Sequence, residues 1–390
     1  MNSIFILSII IILLIFILLK LFNIQKNYIF CFIISIVIIL FIVNIETSIN
    51  SAMEGCKLCF RAIIPTVFSF SLICNLLISY DGISLYSKIL GPIMCKPLKL
   101  SPSSSFPIVA SMLSGYPLGA KYSSDIYNLG HIDKIEYTRL INIASNAGPI
   151  FIIGAIGSAL LGSPKYGYFL LISNYLSFIF IALITLKKSS SYNINKKKIR
   201  TSTNVNFGFA LDNAIKNAIN TTLSVCGYVI AFSVIISIIK NNALISIFFN
   251  NLENTLNIQS NALYGTFLGS IEMTNGCNII ASSNLSINIK LAIISFFCSF
   301  SGMSAIAQAS SFFSKNNISI TKYIILKLIQ GAFSFIVSYT LSLLVFTSSE
   351  ASSISYGPSS YNMLIYAIPI LLFLIVSLII CITKKLIHSS

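Results

Sequence analysis

The sequence predicts an all-α polytopic membrane protein, with about nine transmembrane helices and two re-entrant broken-helix hairpins arranged as an inverted repeat. Three observations lead there. Of 390 residues, 56% are hydrophobic and only 9% are charged. A water-facing surface usually takes about 25% charged residues, so lipid must solvate much of this chain. The apolar residues gather into runs of bilayer length. Two further apolar stretches, near 100–125 and 260–285, are broken by Ser, Gly, Pro and Asn and are too short to cross twice as full helices.

The runs fall at 3–22, 28–46, 58–80, 139–162, 166–186, 213–239, 288–313, 321–347 and 361–383. The first follows no basic segment and precedes no small-residue cleavage site, so it reads as an uncleaved span. The expected organisation is N-terminal transmembrane helices over 1–46, a first repeat over 47–186, a basic linker over 187–211, a second repeat over 212–347, and a last helix with a basic tail over 348–390. Each repeat holds a long helix, a short amphipathic stretch, the irregular hairpin, and a span with a small-polar break. Those breaks are Ser145-Asn146-Ala147-Gly148-Pro149 and Ser299-Phe300-Ser301-Gly302-Met303. They lie on the order of 150 residues apart, as in an inverted-repeat transporter.

Orientation follows the basic residues. The loop 187–200 carries six of the 25 Lys and Arg, which places it in the cytoplasm by the positive-inside rule. Alternation from that anchor leaves about twenty basic residues on the same side, with an external N-terminus and a cytoplasmic C-terminus. The first hairpin then enters from the cytoplasmic face and the second from the opposite one. The formal charge of +15 is therefore a topology signal. Basic residues lie between apolar runs without a stripe or aromatic interleaving, so nucleic acid is not an expected partner.

Two segments carry the chemistry. In Ser111–Lys121, SMLSGYPLGAK, a regular helix cannot hold Gly115, Pro117 and Gly119 without cost, since Gly loses about 1 and Pro about 3 kcal/mol against Ala. A break frees backbone groups that hydrocarbon cannot satisfy, and the following helix turns its positive end toward the break. Ser114, Gly115, Tyr116, Pro117 and Lys121 are the candidates there, against a plain structural turn with Lys121 snorkelling to the interface. In the second segment Glu272 alone among the 10 acidic residues sits at membrane depth. Such a carboxylate costs about 2.5–3.5 kcal/mol on insertion scales. Proton coupling, coordination of a cation such as Na+, or a hydrogen bond to the substrate competes with a structural pair, for instance with Lys121. Thr274 and Asn275 follow it, and Ser145, Asn146, Gly148, Ser301 and Gln308 add hydroxyls, amides and close-approach glycine to the breaks. Helix packing alone explains Ser and Gly there, and the amides of Asn146 and Gln308 less well, because a buried amide needs several partners.

No enzyme, cofactor or metal is expected. His131 and His388 have no carboxylate or Cys framework, Cys56 and Cys59 form an isolated C-x-x-C, and there is no phosphate-binding loop. Transport by this chain would run on an ion gradient or downhill.

SGYPLGAK at Ser114–Lys121, NIASNAGPIFIIGAIG at Asn142–Gly157, GTFLGSIEMTNG at Gly265–Gly276 and SFSGMSAIAQ at Ser299–Gln308 together resemble the YlbJ-type sporulation integral membrane proteins. Those contain the nucleoside-recognition Gate domain and are distantly similar to concentrative nucleoside transporters. The resemblance covers about residues 45–345. It implies a protein made in the mother cell, acting at the outer forespore membrane in cortex formation and in delivery of dipicolinic acid. It also implies that Lys121, the helix ends at Gly115–Gly119 and Asn146 receive the two carboxylates while Tyr116 stacks on the ring. A nucleoside or nucleobase permease and a non-transporting envelope-assembly protein are the alternatives. The expected partners are the lipid bilayer, that solute, a coupling proton or Na+, and a second copy in a homo-oligomer.

Overall fold

The structure, a computed structural model, describes residues 26–186 and 206–345. Every regular element among them is helical. The expected spans 3–22 and 361–383 lie outside the described residues, as does most of the basic linker. Five helices are long and apolar enough to cross a membrane, and three shorter apolar helices accompany them. The chain is thus an integral, multi-pass membrane protein.

The first half begins with α1 (Lys26–Val43) and the 35-residue α2 (Ile45–Ser79). The middle of α2, Cys59–Phe68, widens to π-helical geometry around Pro65, whose ring and missing N–H disrupt the ordinary i→i−4 ladder. A short α3 (Gly82–Ile89) leads to the first hairpin, α4 (Ser105–Ser114) and α5 (Leu118–Asn128), whose limbs pack on each other. The run expected at 139–162 is two helices, α6 (Lys134–Ile143) and α7 (Ile150–Leu160), parted at 144–149. Asp133 starts α6 by accepting the Glu136 N–H at 2.6 Å. Pro164 in the first turn of α8 (Pro164–Ile184) sits where no helical N–H is needed.

The second half has the same order of elements. After the long α9 (Phe207–Lys240) come α10 (Ala243–Thr255) and the second hairpin, α11 (Ala262–Ile271) and α12 (Met273–Ser282). A broken span, α13 (Ile287–Phe300) and α14 (Gly302–Phe313), precedes α15 (Ile320–Val345). Ser301 parts that span in the left-handed region at φ 79°. Buried Glu253 of α10 caps the second hairpin, accepting the backbone N–H groups of Asn261, Leu263 and Tyr264 at 2.8, 2.7 and 3.1 Å. Charge-assisted bonds of this kind are worth about 1.5–3 kcal/mol. Glu253→Gln is therefore expected to lower the thermal midpoint of the solubilised protein, followed by circular dichroism, by several degrees.

Packing interlocks the halves. Helices α8, α13 and α15 form one bundle, and α2 lies along α9. The second limb of each hairpin reaches the broken span of the other half: α5 packs on α14, and α12 on α7. Each full span also serves the opposite half, as the polar contacts below make plain.

Candidate functional site

The two hairpin tips and the two span breaks converge. At the first tip Gly115 takes φ 78°, a conformation that side chains resist. A Cβ there would meet the Gly148 backbone nitrogen at 2.6 Å, so tip and break touch main chain to main chain. The Tyr116 N–H donates to the Asn146 carbonyl at 2.9 Å, which satisfies two groups that the breaks had freed. At the second tip Gly302 lies against the Gly269 and Ile271 carbonyls and the Met273 nitrogen. The Tyr116 hydroxyl touches Met273 Sδ, joining the tips.

Beside the first break lies a side chain that the sequence reading passed over. Lys327 of α15 is wholly buried. Its Nζ donates to the Ser145 carbonyl, to Gln330 Oε1 at 2.9 Å and to Asn146 Oδ1 at 3.4 Å. Among the described residues no carboxylate lies within ion-pair range of it: the ion pairs there are Lys57–Glu54, Lys121–Asp125 and Lys216–Asp212. Its partners among the described residues are neutral oxygens near the negative end of helix α6. A polar chain continues from it. The Gln330 amide donates to Asn146 Oδ1 at 2.8 Å and to Ser177 Oγ at 3.2 Å. Ser177 lies 3.2 Å from Ser299 Oγ, and Asn174 donates to Ser299 Oγ at 3.0 Å and to the Cys298 carbonyl at 3.1 Å. One chain of amides and hydroxyls thus runs from the first break to the second.

The arrangement is reciprocal but uneven. Asn174, on the full span of the first half, caps the Cys298 carbonyl near the end of α13. Lys327, on the full span of the second half, does the same for the Ser145 carbonyl after α6. A neutral amide suffices for the first task. Among the described residues, buried Ser111 Oγ, Tyr175 OH, Ser301 Oγ and Asn174 Oδ1 have no hydrogen-bond partner. Ser111, Asn146 and Tyr175 share a cavity of about 10 Å³, about the size of one water.

The structure brings most of the expected residues together. Ser114, Gly115, Tyr116 and Pro117 form the first tip, with Ser145, Asn146 and Gly148 against it and Ser301 at the other break. The Ser114 hydroxyl itself bonds back to the Ala110 carbonyl at 2.7 Å. Glu272 occupies the second tip, where it accepts the N–H groups of Thr274 at 2.9 Å and Asn275 at 2.8 Å as the cap of α12, along with the Asn275 amide at 2.8 Å. Asn275 in turn accepts from Lys240 at 2.8 Å. Buried Gln308 meets Ser304 on its own helix at 3.4 Å.

Lys121 stands apart from that cluster. It points between α2, α5 and α9, pairing with Asp125 at 2.8 Å and Asn75 at 3.2 Å. The suggested Lys121–Glu272 pair is not made. Lys327, Gln330, Asn174 and Ser177 were missed. Lys327 was findable as a charge well inside an apolar run, the same rule that singled out Glu272. Exchanging Glu272 for Gln removes the stronger half of a helix cap, typically about 1 kcal/mol, so a shift of a few degrees in the thermal midpoint is expected.

No family model matches the chain. The sporulation integral membrane protein YlbJ of Bacillus subtilis (strain 168) is 23% identical over 310 residues, 74% of this chain and 76% of that protein. Among solved structures, a doubly substituted CNTnw in an outward-facing state aligns with a TM-score of 0.47 and 13% identity, over 73% of this chain and 76% of that one.

Proposed function

We propose a transport function for this chain, which belongs with the YlbJ-type sporulation integral membrane proteins: it moves a small anionic solute, dipicolinic acid, across the outer forespore membrane. Made by the mother cell, it would support maturation of the spore core and cortex. One observation carries the anionic part of the reading. Lys327 is a buried lysine without a carboxylate partner among the described residues, placed where two hairpin tips and two broken spans converge. A buried charge without a counterion is costly, and the opposite half closes the equivalent break with the neutral Asn174. Capping alone therefore does not account for the charge at 327; a solute carboxylate does.

In this reading Lys327 takes one carboxylate, while the amides of Asn146 and Gln330 and the hydroxyls of Ser111 and Tyr175 hydrogen-bond the rest. The tips part to admit the solute, and the halves, inverted relative to each other, rock about the site. Thr274 and Asn275 release Glu272 when it takes up the coupling proton or Na+. The neutral amides of the polar chain would equally serve a nucleoside, which keeps a nucleoside or nucleobase permease as the second reading.

The test is uptake by proteoliposomes of labelled dipicolinate against labelled uridine. Saturable accumulation of dipicolinate, with uridine excluded, is expected. Uridine uptake without dipicolinate would give the permease reading its place, and uptake of neither would leave a role in envelope assembly.

A further inference from the structure

A cavity of about 400 Å³ lies between α2, α5 and α9, away from the converging tips. Its wall includes Asn75, Lys121, Asp125, Asn213, Asn217 and Phe312. The volume falls within the usual range for small-molecule sites, about 300–1,000 Å³. The two charges are placed unequally. The Lys121 side chain is 9% exposed and Asp125 is 34% exposed, so the ammonium is the inner charge and its counterion faces the outside. Asn213 and Asn217, one turn apart on α9, add amide N–H donors, and Phe312 adds an aromatic residue to the wall.

We propose that this cavity is a second, separate binding site for a small aromatic carboxylate, whose carboxylate replaces Asp125 on Lys121. Asp125, a third exposed, can turn outward at little cost, while the nearly buried Lys121, held by Asn75, cannot. The incoming carboxylate keeps Lys121 paired, takes amide N–H bonds from α9, and lays its ring on Phe312. Charge-assisted bonds of that kind are the strong ones. A cation would have to pass Asp125 only to meet Lys121, and a neutral solute would leave the existing pair undisturbed. The choice of an anion rests on the transport reading as well as on this placement, and α5 links the two sites as the second limb of the first hairpin. The cavity would then hold the solute on its way to or from Lys327.

The chain has no Trp, so Phe312→Trp installs a single reporter in the cavity wall. Titrating that full-length variant in micelles with dipicolinate should quench its fluorescence saturably, and uridine should not. Adding Lys121→Gln, which can still donate to Asn75, should weaken the titration at least tenfold. Adding Asp125→Asn, which removes the competing anion, should tighten it severalfold. Absence of a saturable quench even with Asp125→Asn, a titration indifferent to Lys121→Gln, or equal quenching by uridine overturns the site. Repeating the titration with Lys327→Gln separates the two ideas. Quenching that persists while uptake is lost supports two distinct sites, and uptake without any quench sinks the cavity site alone.

Discussion

Lys327→Gln is expected to lower the kcat/KM of dipicolinate uptake by about 10- to 100-fold while the protein folds. The magnitude follows from losing a charge-assisted interaction worth about 1.5–3 kcal/mol. Folding survives because Gln can still donate to the Ser145 carbonyl, as the amide of Asn174 does to the Cys298 carbonyl in the other half. Lys327→Met separates stability from function. It leaves the Ser145 carbonyl, Gln330 Oε1 and part of Asn146 Oδ1 short of a donor in a fully buried place, each at about 1–3 kcal/mol, so its thermal midpoint should fall well below that of Lys327→Gln. Uptake unchanged in Lys327→Gln would mean that the charge is not used on the solute, and the transport reading would lose its support.

The second large effect concerns how the hairpins dock. At Gly119 an added methyl would overlap the Ala144 carbonyl and approach Ser111 Cβ to 2.7 Å. The obstructing atom is backbone, so α5 would have to move away from the end of α6 and take the first tip with it. Gly276 plays the same part in the second hairpin, where a methyl would fall on the Gly269 backbone. Overpacking of this severity costs about 3 kcal/mol, against a net stability of only about 5–15 kcal/mol. Gly119→Ala and Gly276→Ala are each expected to abolish uptake and to drop the midpoint by several degrees or more. Gly227→Ala is the matched control, since nothing lies within 4 Å of a Cβ there and a helix prefers Ala. Equal behaviour of all three in size-exclusion and thermal assays would show that tip docking tolerates displacement.

The sequence by itself determined the class of this protein and the places where its helices fail. Composition requires lipid as solvent, because 9% charged residues cannot clothe a chain of 390. The tips at Gly115–Pro117 and Glu272, and the breaks at 144–149 and Ser301, were legible because Gly, Pro and short polar residues are local disturbances in apolar runs. Their effect on backbone geometry needs no tertiary context. What only the tertiary structure decided is which of those places meet, and on which side chains. Asn146, Lys327, Gln330, Ser177 and Ser299 form one polar chain although 146 and 330 are 184 residues apart. No periodicity encodes that pairing. Lys121 and Glu272 each found a partner within four residues on their own helix, which sequence spacing allowed but could not choose. Lys327 found its acceptors from across the molecule, because Lys carries three donors on a long stem and burial forces each of them to be used.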